Sequence, residues 1–463
     1  MNYDAIVIGG GITGAGVLRD LALRGLKALL VEKDLPGRAT TGASSHLIHG
    51  GVRYLLYDRP TTETTAWDSG HIVRIARPLL TRLPIVWPVY ADHARGRTTI
   101  ETLLESYDRF QPLKGGLPHL RLNAEETARL VPQLKRPGLR GGLVFDEWWV
   151  DPVRLVEKNL DNARANGAEV REKTAVTGLV LAGGAVKGVE VLTPRGERET
   201  LRADLVINAA GPWVDKVARL AGLSIPLRLQ QGTHLVYDGN EAILRSPAGR
   251  FGLLLEAEDR ERYVFVIPGG DMTLVGPTDI TSPDDPDHLS PQPAETAQLL
   301  GTLRRYFDSF PERCSKTIVA ARPILGQTGN AKLLSREFQV LDHAARGERS
   351  GFLTIAGGKM SDFRLMGEET GNAAVRLLKK GGSGRTHSIA LDGSSVSTEG
   401  SADRPTHPLT PFLRRHPRLR ELHALAHLGV GLAGHLARRL GGKTRDDTVD
   451  DFTRRYNAPA SGL

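Results

Sequence analysis

A chain of 463 residues with 40% hydrophobic content can bury a full core in roughly two or three domains, so disorder is not the default. Its single cysteine, Cys314, excludes an internal disulfide framework and a thiolate metal cluster, and fits a reducing compartment. The formal charge of +8 favours anionic partners, and with only 5% aromatic residues and no basic stripe interleaved with them, the chain is a poor fit for nucleic acid.

Residues 4–8 form a short buried run, glycines follow at once, 15–23 carry helical periodicity up to Gly25, and 26–32 resume as a strand. This βαβ unit predicts the opening of a doubly wound sheet. Further on, 151–167 predict a helix, 170–181 and 186–192 two strands around a Gly-Gly pair, and 205–208 a buried strand running into AAGPW. The alternating runs THLVY, RYVFVIP and MTLVG between 227 and 280 predict a mainly antiparallel sheet. FLTIAGGK ends a strand on paired glycines, 362–380 predict a helix closing at Gly381, 381–407 read as a linker, and 417–440 as a last helix. No stretch approaches the ~20 apolar residues that cross a bilayer. The opening MNYDAIVIGGG lacks the basic flank and cleavage site of an export signal, so the expectation is a cytoplasmic protein with peripheral membrane contact at most.

The sharpest chemical signal is Gly9, Gly11 and Gly14 between that first strand and helix, with Glu32 closing the next strand. Glycines permit a tight turn and close approach, the helix N-terminus faces a pyrophosphate, and Glu32 accepts from a ribose hydroxyl. These residues point to a dinucleotide without choosing between FAD and NAD. Gly50 and Gly51 precede Arg53 and Tyr54, which sets a cation and a phenol beside a close backbone approach. Arg322, Arg336 and Lys359 add cations from distant segments; one arginine alone is a solvated surface charge by default, but a converging set suits a small dianion. His423 and His427 stand at helical i, i+4 spacing with no further ligands in view, so no metal site is expected.

The blocks TTGASSHLIHGGVRYL (40–55), WVDPVRL (149–155), VINAAGPWVD (206–215), AARP (320–323) and AGGK (356–359) resemble, in order and spacing, the FAD-dependent glycerol-3-phosphate dehydrogenase and oxidase family. That family lies within the D-amino-acid-oxidase-like flavoproteins, and the resemblance covers about four fifths of the chain. It implies FAD as cofactor and oxidation of sn-glycerol 3-phosphate to dihydroxyacetone phosphate, with hydride transfer from C2 to flavin N5 and electrons passed to a quinone. By the same resemblance Arg53, Tyr54, Arg336 and Lys359 hold the substrate phosphate, and Arg322 orients the C2 oxygen. His234 is the matching base, with His49 as its rival. Cofactor contacts fall on Gly9, Gly11, Gly14, Glu32, Lys33, Ser44, Ser45, Val176, Gly211, Gly358 and Lys359, the last also serving as a cation near flavin N1. Two other readings stand beside this one: an oxidase using oxygen or acting on another hydroxy or amino acid, and a flavin-binding protein without turnover.

The implied fold class is α/β, with a Rossmann-like FAD-binding domain discontinuous in sequence, a mixed, mainly antiparallel substrate domain and a short helical C-terminal segment. The expected boundaries give 1–80, 146–220 and 331–380 to the FAD-binding domain, 81–145 and 221–330 to the substrate side, 381–407 to a linker and 408–463 to a shortened helical cap. Three departures stand out. His46 and Gln231 replace lysines common in the family, and Asp362 in GGKMSD replaces a hydroxyl residue, where it either faces the anion or caps the following helix. Arginines between 414 and 439, with leucines at helical spacing, suit an anionic membrane surface.

Overall fold

The computed structural model describes residues 2–56, 58–246, 248–260, 262–282, 285–326, 337–397 and 446–456, with 419, 422, 423, 426, 427, 429 and 432–436; the side chains of 53 and 56 are outside this description. Two sheets organise it. The first has eight strands, and its backbone is the parallel series Phe352–Gly357, Arg198–Asn208, Asn2–Ile8, Ala28–Val31 and Glu169–Arg171 in spatial order. Phe338–Asp342 adds antiparallel at one edge, and the hairpin of Ala175–Ala182 with Ala185–Leu192 joins along Arg198–Asn208. Ala5, Ile6 and Val7 are fully buried, as expected of parallel strands covered on both faces. The helices Ile12–Leu23, Pro152–Ala165 and Phe363–Leu378 cover one face, and Val214–Arg219 packs with the opposite one.

Local chemistry explains where these elements begin. Asp151 accepts from the amides of Val153 and Arg154, with Pro152 at the first helical position, so DP marks a start the chain cannot overrun. The first helix starts at Ile12, three residues earlier than its apolar periodicity predicts, because Gly11 serves as its N-cap and the glycine turn feeds straight into it.

The second sheet has ten strands, antiparallel apart from the parallel pair of Gly252–Glu256 with Leu80–Tyr90. Leu227–Asp238 is paired with Met272–Gly276 and over ten residues with Lys316–Leu325. Leu47–Ile48 pairs with Leu139–Val150, so the stretch that carries His49 and the following glycines crosses from the first sheet to the second.

Residues 381–397 do not behave as the linker their composition suggests. Arg19 donates to the carbonyls of Thr386 and Ile389, Arg24 to that of Gly382, and Leu391 is buried in the core beneath the first helix. Small polar residues here form a strap tied down by arginines. Most of the predicted helix at 417–440 lies outside the described residues, and among those described no helix is long and apolar enough to cross a membrane.

Candidate active site

One cavity of about 840 Å³ opens where the parallel strands end, lined at that side by Ile8 and Gly9, Val31 and Glu32, Ala209 and Ala210, and 355–358. This is the crevice outside the carboxyl ends of an open α/β sheet, where such folds bind ligands. At Gly9 the backbone is left-handed, φ +106°, and its amide reaches the Val31 carbonyl at 2.9 Å. A Cβ there would stand 2.8 Å from the Ala209 carbonyl oxygen, and one on Gly14 would run into the carbonyl of Gly9. Gly11 is less constrained, with only the Thr41 hydroxyl nearby, and Thr41 accepts the amide of Ile12.

Glu32 accepts the Gly10 amide at 2.6 Å through one oxygen and the Asp34 amide at 2.9 Å through the other. Carboxylate oxygens carry further lone pairs, so the group fixes the glycine turn and can still receive a ribose hydroxyl. Ser44, Ser45, Val176, Gly211, Gly358 and Lys359 all line the cavity. Lys33 lies at its mouth, its amine paired with Asp287 and over the Trp213 ring at 4.1 Å. The glycine cradle, the acidic residue at the second strand end and a long cavity fit FAD.

The cationic side of the cavity gathers residues from four segments. Arg322, on Lys316–Leu325, donates to Asp279 Oδ1 at 3.0 Å and to the Thr278 carbonyl at 3.1 Å, which holds its guanidinium against the cavity. Lys359 donates to Thr65 Oγ1 at 2.7 Å, with its ammonium 4.5 Å from the centre of the Tyr54 ring. Arg322, Lys359, Tyr54, His49 and His234 all line the same cavity. The side chain of Arg53 and the whole of Arg336 lie outside the described residues.

The two histidines differ. His234 is 2% exposed, its Nε2 lies 2.9 Å from Ser45 Oγ, and burial above all, then the charge of Arg322 and the ring of His46, push its pKa down to about 3. His49 is half-buried on the cavity wall, its backbone amide held by Ser361 Oγ at 3.0 Å.

Neither lysine replacement touches the cavity. Gln231 and His234 lie on opposite faces of one strand, since side chains alternate there. Gln231 is therefore buried away from the site, donating to Glu295 Oε2 at 2.7 Å. His46 is buried, with Nε2 3.3 Å from the Gly42 carbonyl. Asp362 does not cap the helix that follows it; its side chain makes no cap bond and stands with Oδ2 3.9 Å from Lys359 Nζ.

Sequence reasoning missed the residues that hold these groups in place. Beneath Gly50, Tyr107 donates to Glu147 at 2.7 Å, and buried Lys114 pairs with the same carboxylate. Thr278, Asp279, Ser361 and Thr65 carry no motif of their own, and only the packed chain reveals them. Glu101, Glu105 and His435 could bring three ligand atoms together, yet Arg121 stands 3.0 Å from Glu101 and His435 Nδ1 3.0 Å from Glu105, so the carboxylates have partners within the protein.

The model of the FAD dependent oxidoreductase family matches residues 4–362. An aerobic glycerol-3-phosphate dehydrogenase of Staphylococcus haemolyticus is 31% identical over 389 residues, 82% of this chain and 68% of its own. One from Staphylococcus epidermidis is 30% identical over 471 residues, 99% and 80% of the two chains. The fold is similar to that of the glycerol-3-phosphate dehydrogenase from Bacillus halodurans complexed with FAD, with TM-score 0.67 at 23% identity over 98% of this chain and 82% of that one. It is similar also to the FAD-bound L-alpha-glycerophosphate oxidase of Mycoplasma pneumoniae, with TM-score 0.63 at 20% identity over 83% and 96%. With the glycine cradle, the acidic strand end and the cationic pocket in one cavity, the chain belongs to the FAD dependent oxidoreductases and, among them, to the glycerol-3-phosphate dehydrogenase family.

Proposed function

We propose that the chain oxidises sn-glycerol 3-phosphate to dihydroxyacetone phosphate with FAD as cofactor, and that a membrane quinone takes the electrons onward. The observation that carries the first part is the convergence of Arg322, Lys359, Tyr54 and His49 on a cavity whose other end is built for a dinucleotide. FAD, when bound, supplies the acceptor for the hydride that leaves C2.

The protein's part is binding, orientation and proton removal. Lys359 and Tyr54, with Arg53 and Arg336 by family resemblance, bind the phosphate. Arg322, fixed by Asp279 and Thr278, directs donors at the C2 oxygen and favours its developing negative charge. His49 is our choice of base, taking the C2 hydroxyl proton, because it is the more accessible histidine on the cavity wall. His234, buried and tied to Ser45, orients that hydroxyl instead.

The test is the visible spectrum of the purified protein without oxygen, before and after sn-glycerol 3-phosphate. Bleaching of the flavin band is expected; a yellow protein that stays yellow removes this substrate. The charge of +8 and the arginines between 414 and 439 support an acceptor reached at an anionic membrane surface. Reoxidation of the bleached protein faster by a soluble quinone than by air is the expected outcome, and the reverse order assigns an oxidase.

A further inference from the structure

Asp362 is 4% exposed, and one of its carboxylate oxygens, Oδ1, has no hydrogen-bond partner among the described residues. It does not line the cavity, whereas Lys359, three residues earlier, does. The carboxylate thus sits behind the ammonium, 3.9 Å from it, with Thr65 beside both. A helix cap would explain an acidic residue at this position, but no such bond is made.

We propose that Asp362 sets the affinity of the anion subsite, its carboxylate offsetting part of the Lys359 charge so that anionic substrate binds more weakly once that carboxyl ionises. This rests on the reading of Lys359 as a substrate-phosphate ligand.

The groups around the carboxyl come from each element packed there. Lys359 stands on the turn before it, Thr65 and Asp68 on helix Arg59–Ile75, and Glu337 ahead of strand Phe338–Asp342. Arg364 on the following helix is engaged by Asp68 at 2.6 Å and by Glu368, so its charge is already matched. Burial, foremost, raises the Asp362 pKa to about 6; Lys359 and Thr65 oppose the rise, and Asp68 and Glu337 add to it. Below that value the carboxyl is neutral and Lys359 acts unopposed, and above it the subsite loses positive charge. The switch falls within the ordinary working range of pH.

A phosphate monoester gains its second charge near pH ~6 as well, which would mask the effect in a simple profile. Sulfate, a dianion throughout, avoids this. With the FAD-loaded full chain, sulfate affinity read from perturbation of the flavin band should fall about tenfold between about pH 5 and about pH 8 in the native protein. In Asp362→Asn it should stay level, and the KM for sn-glycerol 3-phosphate should be lower than native by about the same factor at the upper pH, with kcat changed far less. Parallel pH profiles in native and variant proteins, or equal KM values, overturn the proposal. If Asp362→Asn fails to retain FAD, Asp362→Ser is measured in its place and judged by the same comparison. A flavin that sn-glycerol 3-phosphate cannot bleach in the native protein counts against the proposed substrate, while the sulfate titration still decides the role of Asp362.

Discussion

The two ends of the cavity are built by opposite means. At the dinucleotide end the wall is largely backbone, with Gly9 and Gly14 packed so closely against backbone carbonyls that side-chain atoms have no room. At the substrate end the wall is charged and aromatic side chains, each held by a partner behind it: Arg322 by Asp279, Lys359 by Thr65. The first kind of site fails by collision and takes the fold with it. The second fails by misdirected charge and leaves the fold standing.

The sharpest test of that contrast is Gly14→Val. Its added carbons meet the Gly9 carbonyl, a backbone atom that cannot swing aside, so a loss of roughly 3–5 kcal/mol and a colourless protein are expected in thermal melts and flavin spectra. A yellow protein melting at the native temperature would break the comparison. Arg322→Ala should instead stay yellow and fold normally, while anaerobic flavin reduction slows by about 100- to 1000-fold, the scale of losing an oriented donor to a developing oxyanion. His49→Gln should slow the same step about 100-fold, as for a general base, and His234→Gln less. The reverse order would return the base to His234.

His234 also sharpens the comparison through pH. Its pKa falls from 6.5 to about 3 on folding, so its contribution is fully present above the unfolded value and is lost as pH falls toward the folded one. By about pH 5 that amounts to about 2 kcal/mol, and His234→Gln should flatten the decline of the melting temperature with acid by this share. An unchanged slope would mean that the imidazole is not held neutral in the fold. The smallest effect belongs to Asp287, which clasps Lys33 and Lys216 and accepts from the Trp213 indole at 2.8 Å over the cavity mouth. These pairs are partly exposed, so Asp287→Asn should cost under ~1 kcal/mol and speed FAD release only a few-fold, measured by recovery of flavin fluorescence. A large acceleration would make the dinucleotide end depend on charge as well as on backbone.

How much of this was legible beforehand follows the same division. The glycine turn, Glu32 and the strands on either side could be read directly, because a close backbone approach leaves its mark within about thirty residues. The family blocks brought Arg322, Lys359 and Tyr54 into one group, and the cavity places them together. The partners behind them were not legible. Thr278, Asp279 and Thr65 are ordinary polar residues whose role depends on what folds against them. Composition misled at 381–397, where Gly, Ser and Thr form a strap secured by Arg19 and Arg24. Comparison with the family misled at Gln231, whose departure looked like a lost cation and proves to lie on the far face of its strand.

The sequence by itself determined the dinucleotide fold, since period, glycine spacing and a strand-ending acid are local constraints on the backbone, and the family blocks added the choice of FAD. Tertiary structure alone decided how deeply each histidine is buried along the cavity and which departures from the family lie near it. It turned Gln231 and His46 away and brought Asp362 behind Lys359. The physical reason is that charge acts through space. A carboxylate 3.9 Å from an ammonium in a buried setting feels its field strongly, and a side chain on the opposite face of a strand is held away from the cavity, whatever their separation along the chain.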